Sequence, residues 1–283
     1  MPNRKHFYSF IFNHIFHSCK LLGLNPNSTN IVLKASLGLL LNADPESKPP
    51  EIVYKIQDII RRVMKNTDPY REIKDRSTRD ALSIYPELKS EVSGSSHPLK
   101  TAVRIAIAGN ILDFGIPIEF NLRETINRVL QQTFSIDHLS LLLSAIEKSK
   151  QIMVIADNAG ETVFDRVLIE QINTPIGYVV KGGPVINDAT EADAISAGLH
   201  EIANIISCGA PTPGIIKKLC SQSFLDKFEE SDLIISKGQA NYVMLDGSDT
   251  RIFHLLQIKN QYMEHVSGQP VGSILVKRSD LKN

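Results

Sequence analysis

From about residue 5 to residue 145, apolar side chains return every three or four positions; the stripe Ile52, Ile56, Ile59, Ile60 and Val63 is the clearest case. That period puts them on one face of a helix, so they are predicted to be core. Breaks fall at Asn25-Pro26-Asn27, at Lys48-Pro49-Pro50 and across residues 93–98, all turn chemistry between helices. After residue 150 the pattern changes to short Ile- and Val-rich runs without alternation, at 152–156, 176–180, 203–207, 233–236, 252–258 and 273–276. Strands apolar on both sides need cover on both faces. Helical candidates begin near Glu161, Glu191, Pro213 and Phe224, so strand and helix alternate. The expectation is a three-layer α/β/α, Rossmann-like domain with a mainly parallel sheet over 146–283, preceded by a helical domain over 1–145.

A chain of 283 residues hides about three quarters of its unfolded surface, so no metal is needed to staple the fold. The 31 basic and 31 acidic residues balance, which argues against the basic stripe that nucleic-acid binding requires. Cys19, Cys208 and Cys220 show no CxxC spacing and cannot all pair within one chain, which points to a reducing, cytoplasmic setting. The apolar opening segment is interrupted by His6, His14, His17 and Lys20 and is read as a helix, not a signal peptide. No stretch approaches the roughly 20 apolar residues of a membrane span, so no membrane partner is expected. Oligomeric state is not legible.

In a parallel sheet, ligands bind beyond the carboxyl ends of the strands. The residues there are Asp157-Asn158-Ala159-Gly160-Glu161, then 181–188, then 207–211, then Lys237-Gly238-Gln239-Ala240-Asn241. Asp157 and Asn158 offer a carboxylate and an amide oxygen to a hard cation, and Asp188 adds a second charge. Two carboxylates alone in a crevice repel, whereas a divalent ion holds both ionised. Gly182 and Gly183 let backbone approach a ligand, and the start of the helix after Asp188 is a candidate phosphate cradle. Lys237, at a strand end, could offset phosphoryl charge. Each feature alone is also ordinary turn, cap or surface chemistry; their convergence on one sheet edge raises them to candidates. GxGxxG, GxxxxGK[ST], HExxH and GxSxG are absent, and Cys208, with no activating pattern nearby, is read as structural.

The strings DPYREIKDRSTRDALSIYPEL, PLKTAVRIAIAGNILDFG, ADNAGETVFDRVLIE, VKGGPVINDATEADAISAG and SDLIISKGQANY, together spanning roughly residues 65–280, resemble the DUF89 family, also described as damage-control phosphatases. The resemblance implies a helical N-terminal part on an α/β/α catalytic domain. It also implies hydrolysis of small phosphorylated metabolites, such as sugar phosphates or damaged cofactor intermediates. The divalent ion, Mg, Mn, Co or Ni, would be held by Asp157, Asn158 and Asp188. Catalytic roles then fall to Asp157, Asp188 and Lys237. Substrate contacts fall to Lys237, Asn110, Glu161, Gly183 and Asn241, with Asp113 in the same string as Asn110. Two departures stand out: an expected N-terminal cysteine pair is missing, and ISCGAPTPGI carries Cys208 where an Asn-Gly form is expected. Other readings are an S-adenosylmethionine-dependent carboxyl methyltransferase, against which the missing Gly-rich loop counts, and a non-catalytic metabolite-binding protein. Whether Asp157 itself attacks phosphorus stays open.

Overall fold

The computed structural model describes residues 4–111 and 118–281, with backbone alone for residues 111 and 118–123. At its centre the described strands are β1 (Ile136–Asp137), β2 (Ile152–Ile155), β3 (Ile176–Val180), β4 (Asn204–Ser207), β5 (Leu233–Lys237), β6 (Ile252–Gln257) and β7 (Ile274–Arg278). They form one sheet in the order β1-β7-β6-β5-β2-β3-β4, parallel throughout except where β6 meets β7. The six apolar runs became β2 to β7 because both sheet faces are covered. In β2, Ile152 and Val154 enter one core while Met153 and Ile155 enter the other. The mainly parallel three-layer architecture is therefore the one the pattern predicts. Strand β1 has only two residues, too few to register as an apolar run.

The helices are α1 (Arg4–Leu21), α2 (Pro26–Leu41), α3 (Pro49–Met64), α4 (Arg71–Ser93), α5 (Pro98–Ile111), α6 (Ile118–Gln131), α7 (Leu139–Lys148), α8 (Thr162–Ile169), α9 (Glu191–Ser196), α10 (Gln222–Glu230), α11 (Gln239–Leu245) and α12 (Gln261–Ser267). The sequence breaks sit where helices begin. Asn25 caps α2 by accepting the Ser28 amide at 2.9 Å, and prolines open α2, α3 and α5, where the missing N–H costs nothing.

Apolar side chains of α4, α5, α7 and α8 fill the core on one sheet face, and Phe224, Phe228 and Leu245 of α10 and α11 fill the other. A third cluster, with Ile52, Ile56 and Ile60 of the predicted stripe at its heart, joins α1, α2 and α3. Packing therefore changes character before α4 and not at the expected 145/146 boundary. The faces of α4 to α7 are needed to cover the sheet, so they share its core. The helix expected near Pro213 does not form either. A single 3-10 turn at Lys217–Leu219 precedes α10, and Gly214, with φ 73°, holds a left-handed conformation that a helix beginning at Pro213 could not contain.

The chain runs outward from β2 through β3 to β4, then returns to β5 on the other side of β2. The crevice between β2 and β5 is thus the switch point of the sheet, where the rule for α/β folds places ligands.

Candidate active site

Asp157 and Asn158 follow β2 directly, and an isolated antiparallel bridge links Asn158 to Asp188. The Ala189 amide donates to the Asp157 carbonyl and the Ala159 amide to the Asn187 carbonyl, each at 2.8 Å. These backbone bonds bring two carboxylates and an amide, 30 residues apart in sequence, to one point. Between them Ile186 holds φ 46°, a left-handed conformation rare for a β-branched residue, in the wall of the cavity described below.

Gly238, immediately after β5, closes the crevice. Its φ of 80° and ψ of 169° belong to glycine, and a Cβ there would lie 1.9 Å from Asp157 Oδ2. Gly182 is equally constrained, by close approach: its Cβ would meet the Gly209 carbonyl carbon at 2.3 Å, and its amide donates to Ala210 at 3.0 Å. Gly183 packs beside Pro211 and stands outside the cavity lining.

Behind Asp157 lies a buried polar chain. Asn110 on α5 donates to Asp157 Oδ2 at 2.9 Å and to Glu161 Oε2 at 3.0 Å. Asn158 donates to the same two oxygens at 3.0 and 3.1 Å, leaving its amide oxygen as the group it can offer a cation. The Lys237 ammonium lies 2.5 Å from Glu161 Oε1, contacts Asp165 Oδ1, and donates to the Ala106 carbonyl at 3.1 Å. Tyr178 OH donates to Asp165 Oδ2 at 2.8 Å. Burial works against the ammonium, but the Asp165 and Glu161 charges override it and hold Lys237 above its ordinary pKa. Lys237 is wholly buried. Its three donors are occupied by protein, so it does not present its charge to the cavity as the sequence led us to expect. Asn241 is also buried and spends its amide on the Ala156 and Lys237 carbonyls at 3.1 and 2.7 Å, bracing β2 against the start of α11. The start of α9 is no phosphate cradle: the helix has six residues, and Asp193 already accepts from the Thr190 amide and hydroxyl at 2.8 and 2.6 Å. Asp113 falls outside the described residues.

Asp188 is buried, and its Oδ2 lies 3.4 Å from Lys181 Nζ with no hydrogen bond of its own. Burial, then the Glu161 and Asp188 charges, push the Asp157 carboxyl well above its usual range; burial also raises Asp188, against the pull of Lys181. Counting Asp157, Glu161, Asp165 and Asp188 against Lys181 and Lys237 leaves the cluster net negative. An under-bonded buried carboxylate oxygen, a second carboxylate raised by repulsion and an amide oxygen are the donor set of a hard divalent cation, so these residues fit one. Among the described residues no cluster of three or more His, Cys, Asp or Glu side chains forms a metal cage without the amide.

A cavity of about 830 Å³ opens in front of this cluster. Asp157, Asn158 and Asp188 line it together with residues of α1 and α12, and so does Lys259, whose charge counters the rise of the Asp157 carboxyl. Lys259, Lys181 and Asp165 escaped the sequence reading. Asp165 lies one helical turn after Glu161, a spacing that could have flagged it, and Lys181 opens the Lys-Gly-Gly-Pro string in which only the glycines were weighed. Lys259 follows a long apolar run with no motif around it. Cys208 is buried in the second core, as expected of a structural residue. The neighbouring Cys220 thiol draws the Cys208 pKa down, against its burial.

A family model described as a damage-control phosphatase ARMT1-like domain matches residues 8–275. A damage-control phosphatase of Pyrococcus horikoshii is 33% identical over 227 residues, covering 78% of each chain. One from Archaeoglobus fulgidus is 32% identical over 281 residues, covering 95% of this chain and 96% of its own. The crystal structure of a DUF89 family protein from Pyrococcus horikoshii superposes with a TM-score of 0.87 at 28% identity, covering 96% of this chain and 98% of that one.

Proposed function

The chain belongs to the ARMT1-like damage-control phosphatases, a metal-dependent family, and from that premise we propose that its phosphatase chemistry takes place where Asp157, Asn158 and Asp188 meet the cavity. The observation that carries this reading is the buried, net-negative pair Asp157 and Asp188 in the cavity wall, with an Asp188 oxygen that makes a 3.4 Å ion pair with Lys181 in place of a close hydrogen bond. Asp157, Asn158 and Asp188 would hold a divalent ion, with Mg, Mn, Co and Ni all compatible with an all-oxygen donor set. Such an ion supplies Lewis-acid polarisation of a phosphoryl oxygen and orientation of the attacking group.

The chain's own groups do the rest. Lys259 is the cavity-lining cation that acts on Asp157 and offsets phosphoryl charge in the transition state. Glu161 and Asn110, tied to Asp157 and to Lys237, fix the orientation of the Asp157 carboxylate. Lys237 acts on catalysis only through Glu161. The substrate is a small phosphorylated metabolite, whose organic part the 830 Å³ cavity accommodates. A carboxyl methyltransferase is not favoured, because the loop after β2 carries Asp157 and Asn158 where such a cofactor needs a glycine-rich turn. No helix among the described residues is long and apolar enough to cross a membrane. The free cysteines fit a cytoplasmic setting.

The test is release of inorganic phosphate from a panel of phosphorylated metabolites with each ion in turn. Turnover that requires a divalent ion and disappears in Asp157→Asn and Asp188→Asn supports the assignment. Wild-type rates in either folded variant would overturn it.

A further inference from the structure

Helix α1 has two faces with different jobs. Phe7, Ile11, Ile15 and Cys19 recur every four residues and lock it into the core it shares with α2 and α3. The other face presents His6, Phe10, Asn13, His14 and His17 to the cavity that Asp157, Asn158 and Asp188 also line. Two of those side chains are rigidly set. The His14 ring lies 6.3 Å from that of Phe10, 20° from parallel, and Phe10 in turn lies 5.7 Å from Tyr262 of α12. On its inner edge, His14 Nε2 sits 2.9 Å from the amide nitrogen of buried Gln57, which also reaches Ser18 Oγ at 3.2 Å.

A neutral imidazole has one donor and one acceptor nitrogen. With Nε2 engaged by Gln57, Nδ1 is the remaining polar atom of a ring that lines the cavity. Resting on the phosphatase reading above, we propose that His14 is a specificity-determining residue. It hydrogen-bonds an uncharged polar group, such as a hydroxyl or amide, on the organic part of the substrate while the phosphoryl group sits at Asp157 and Asp188. The group it meets is uncharged because the ring is. Burial, and then the His17 charge, lower the His14 pKa to about 4, so at neutral pH the His14 ring itself carries no charge to meet a carboxylate or second phosphate. An anion placed there would be desolvated without a counter-charge from His14.

Phenyl phosphate and its para-substituted derivatives separate the two subsites of the cavity. One series carries a carboxamide and another a carboxylate, each on spacers of increasing length. The wild-type enzyme is expected to lower KM about tenfold for a carboxamide ester of matching length, the size of one hydrogen bond, and to gain nothing from the carboxylate. His14→Ala should erase that preference while leaving kcat/KM for phenyl phosphate within about twofold, and His14→Asn, which keeps a hydrogen-bonding edge, should restore part of it. A wild-type preference for the carboxylate series, or none for the carboxamide at any length, overturns the proposal without recourse to a variant. Equal losses on phenyl phosphate and the carboxamide ester in folded His14→Ala overturn it as well. If no ester is turned over with any divalent ion, the phosphatase site itself is misassigned and the subsite falls with it.

Discussion

Lys237→Met separates a buried structural cation from one that touches substrate. The change keeps most of the side chain's volume and removes only the ammonium, so little of its effect comes from a cavity. What remains is Glu161 and Asp165, both fully buried, with an uncompensated charge between them. Stripping one partner from a buried ion cluster costs about 3–5 kcal/mol, because the leftover charge keeps its desolvation penalty. For a chain this long each kcal/mol lowers the melting temperature by about 2–4 °C, so the variant should melt roughly 6–20 °C below the wild type. Urea unfolding followed by circular dichroism reads the loss directly, and adding Glu161→Gln and Asp165→Asn should recover much of it, since the stranded charges are then gone. A destabilisation below about 1 kcal/mol would refute the placement of Lys237. So would a folded Lys237→Met of normal stability that loses about 100-fold in kcat/KM, the behaviour of a direct phosphoryl contact.

Lys259→Met should show that opposite signature, a loss of about 100-fold in kcat/KM with thermal stability kept and metal affinity undiminished, checked by steady-state kinetics and calorimetric metal titration. In metal-free protein Asp157→Asn should melt at or above the wild-type temperature while binding of Mg or Mn is lost, because the wild-type carboxyl is held against burial and two neighbouring carboxylates. Gly238→Ala should cost about 1–3 kcal/mol of stability and abolish metal binding, since its Cβ would occupy the place of the Asp157 carboxylate; wild-type metal affinity would contradict the geometry. His254 is fully buried on β6 with neither ring nitrogen hydrogen-bonded, and burial, opposed only by the more distant Asp246, lowers its pKa to about 3. The unfolded chain therefore binds a proton between about pH 6.5 and 3 that the folded chain refuses, and stability falls as pH drops through that window. His254→Phe should make the slope of unfolding free energy against pH shallower by about 1.4 kcal/mol per unit there, and an unchanged slope would remove His254 as a cause.

The parts of the fold legible in the sequence are those whose signal is local. β2 to β7 declared themselves because each carries a short apolar run without polar alternation, and α3 because its stripe keeps one period over about three turns. The two residues of β1 carry no such signal, and their pairing with β7 depends on a partner about 140 positions away. The separation of α1 to α3 from α4 to α7 was hidden for the same reason: all are amphipathic, and the sequence does not say which apolar face meets the sheet. In the site, Asp157, Asn158 and Asp188 were legible because loops after parallel strands share one edge. Side-chain direction was not. Lys237 ends β5 on that same edge, and only the presence of Asp165 on α8 and the Ala106 carbonyl of α5 turns its ammonium inward.

That inward turn bears on how the acidic cluster is built. On the proposed reading Asp157 and Asp188 would share an ion, and without one the Asp188 charge works against ionisation of Asp157. A second lysine facing the cavity, beside Lys259, would relieve the repulsion further but would also compete with the ion for the same oxygens. Lys237 instead anchors Glu161 from behind, and Glu161 passes that restraint through the amides of Asn110 and Asn158 to one oxygen of Asp157. Neutral donors hold the carboxylate in position without cancelling its charge, so the remaining attraction for a cation is directed at the cavity. Replacing Asn110 with Lys would test this division: the cluster would gain a cation and stability in the metal-free state, and would bind the divalent ion more weakly. Metal affinity equal to wild type in that variant would mean that the placement of charge behind Asp157 is incidental.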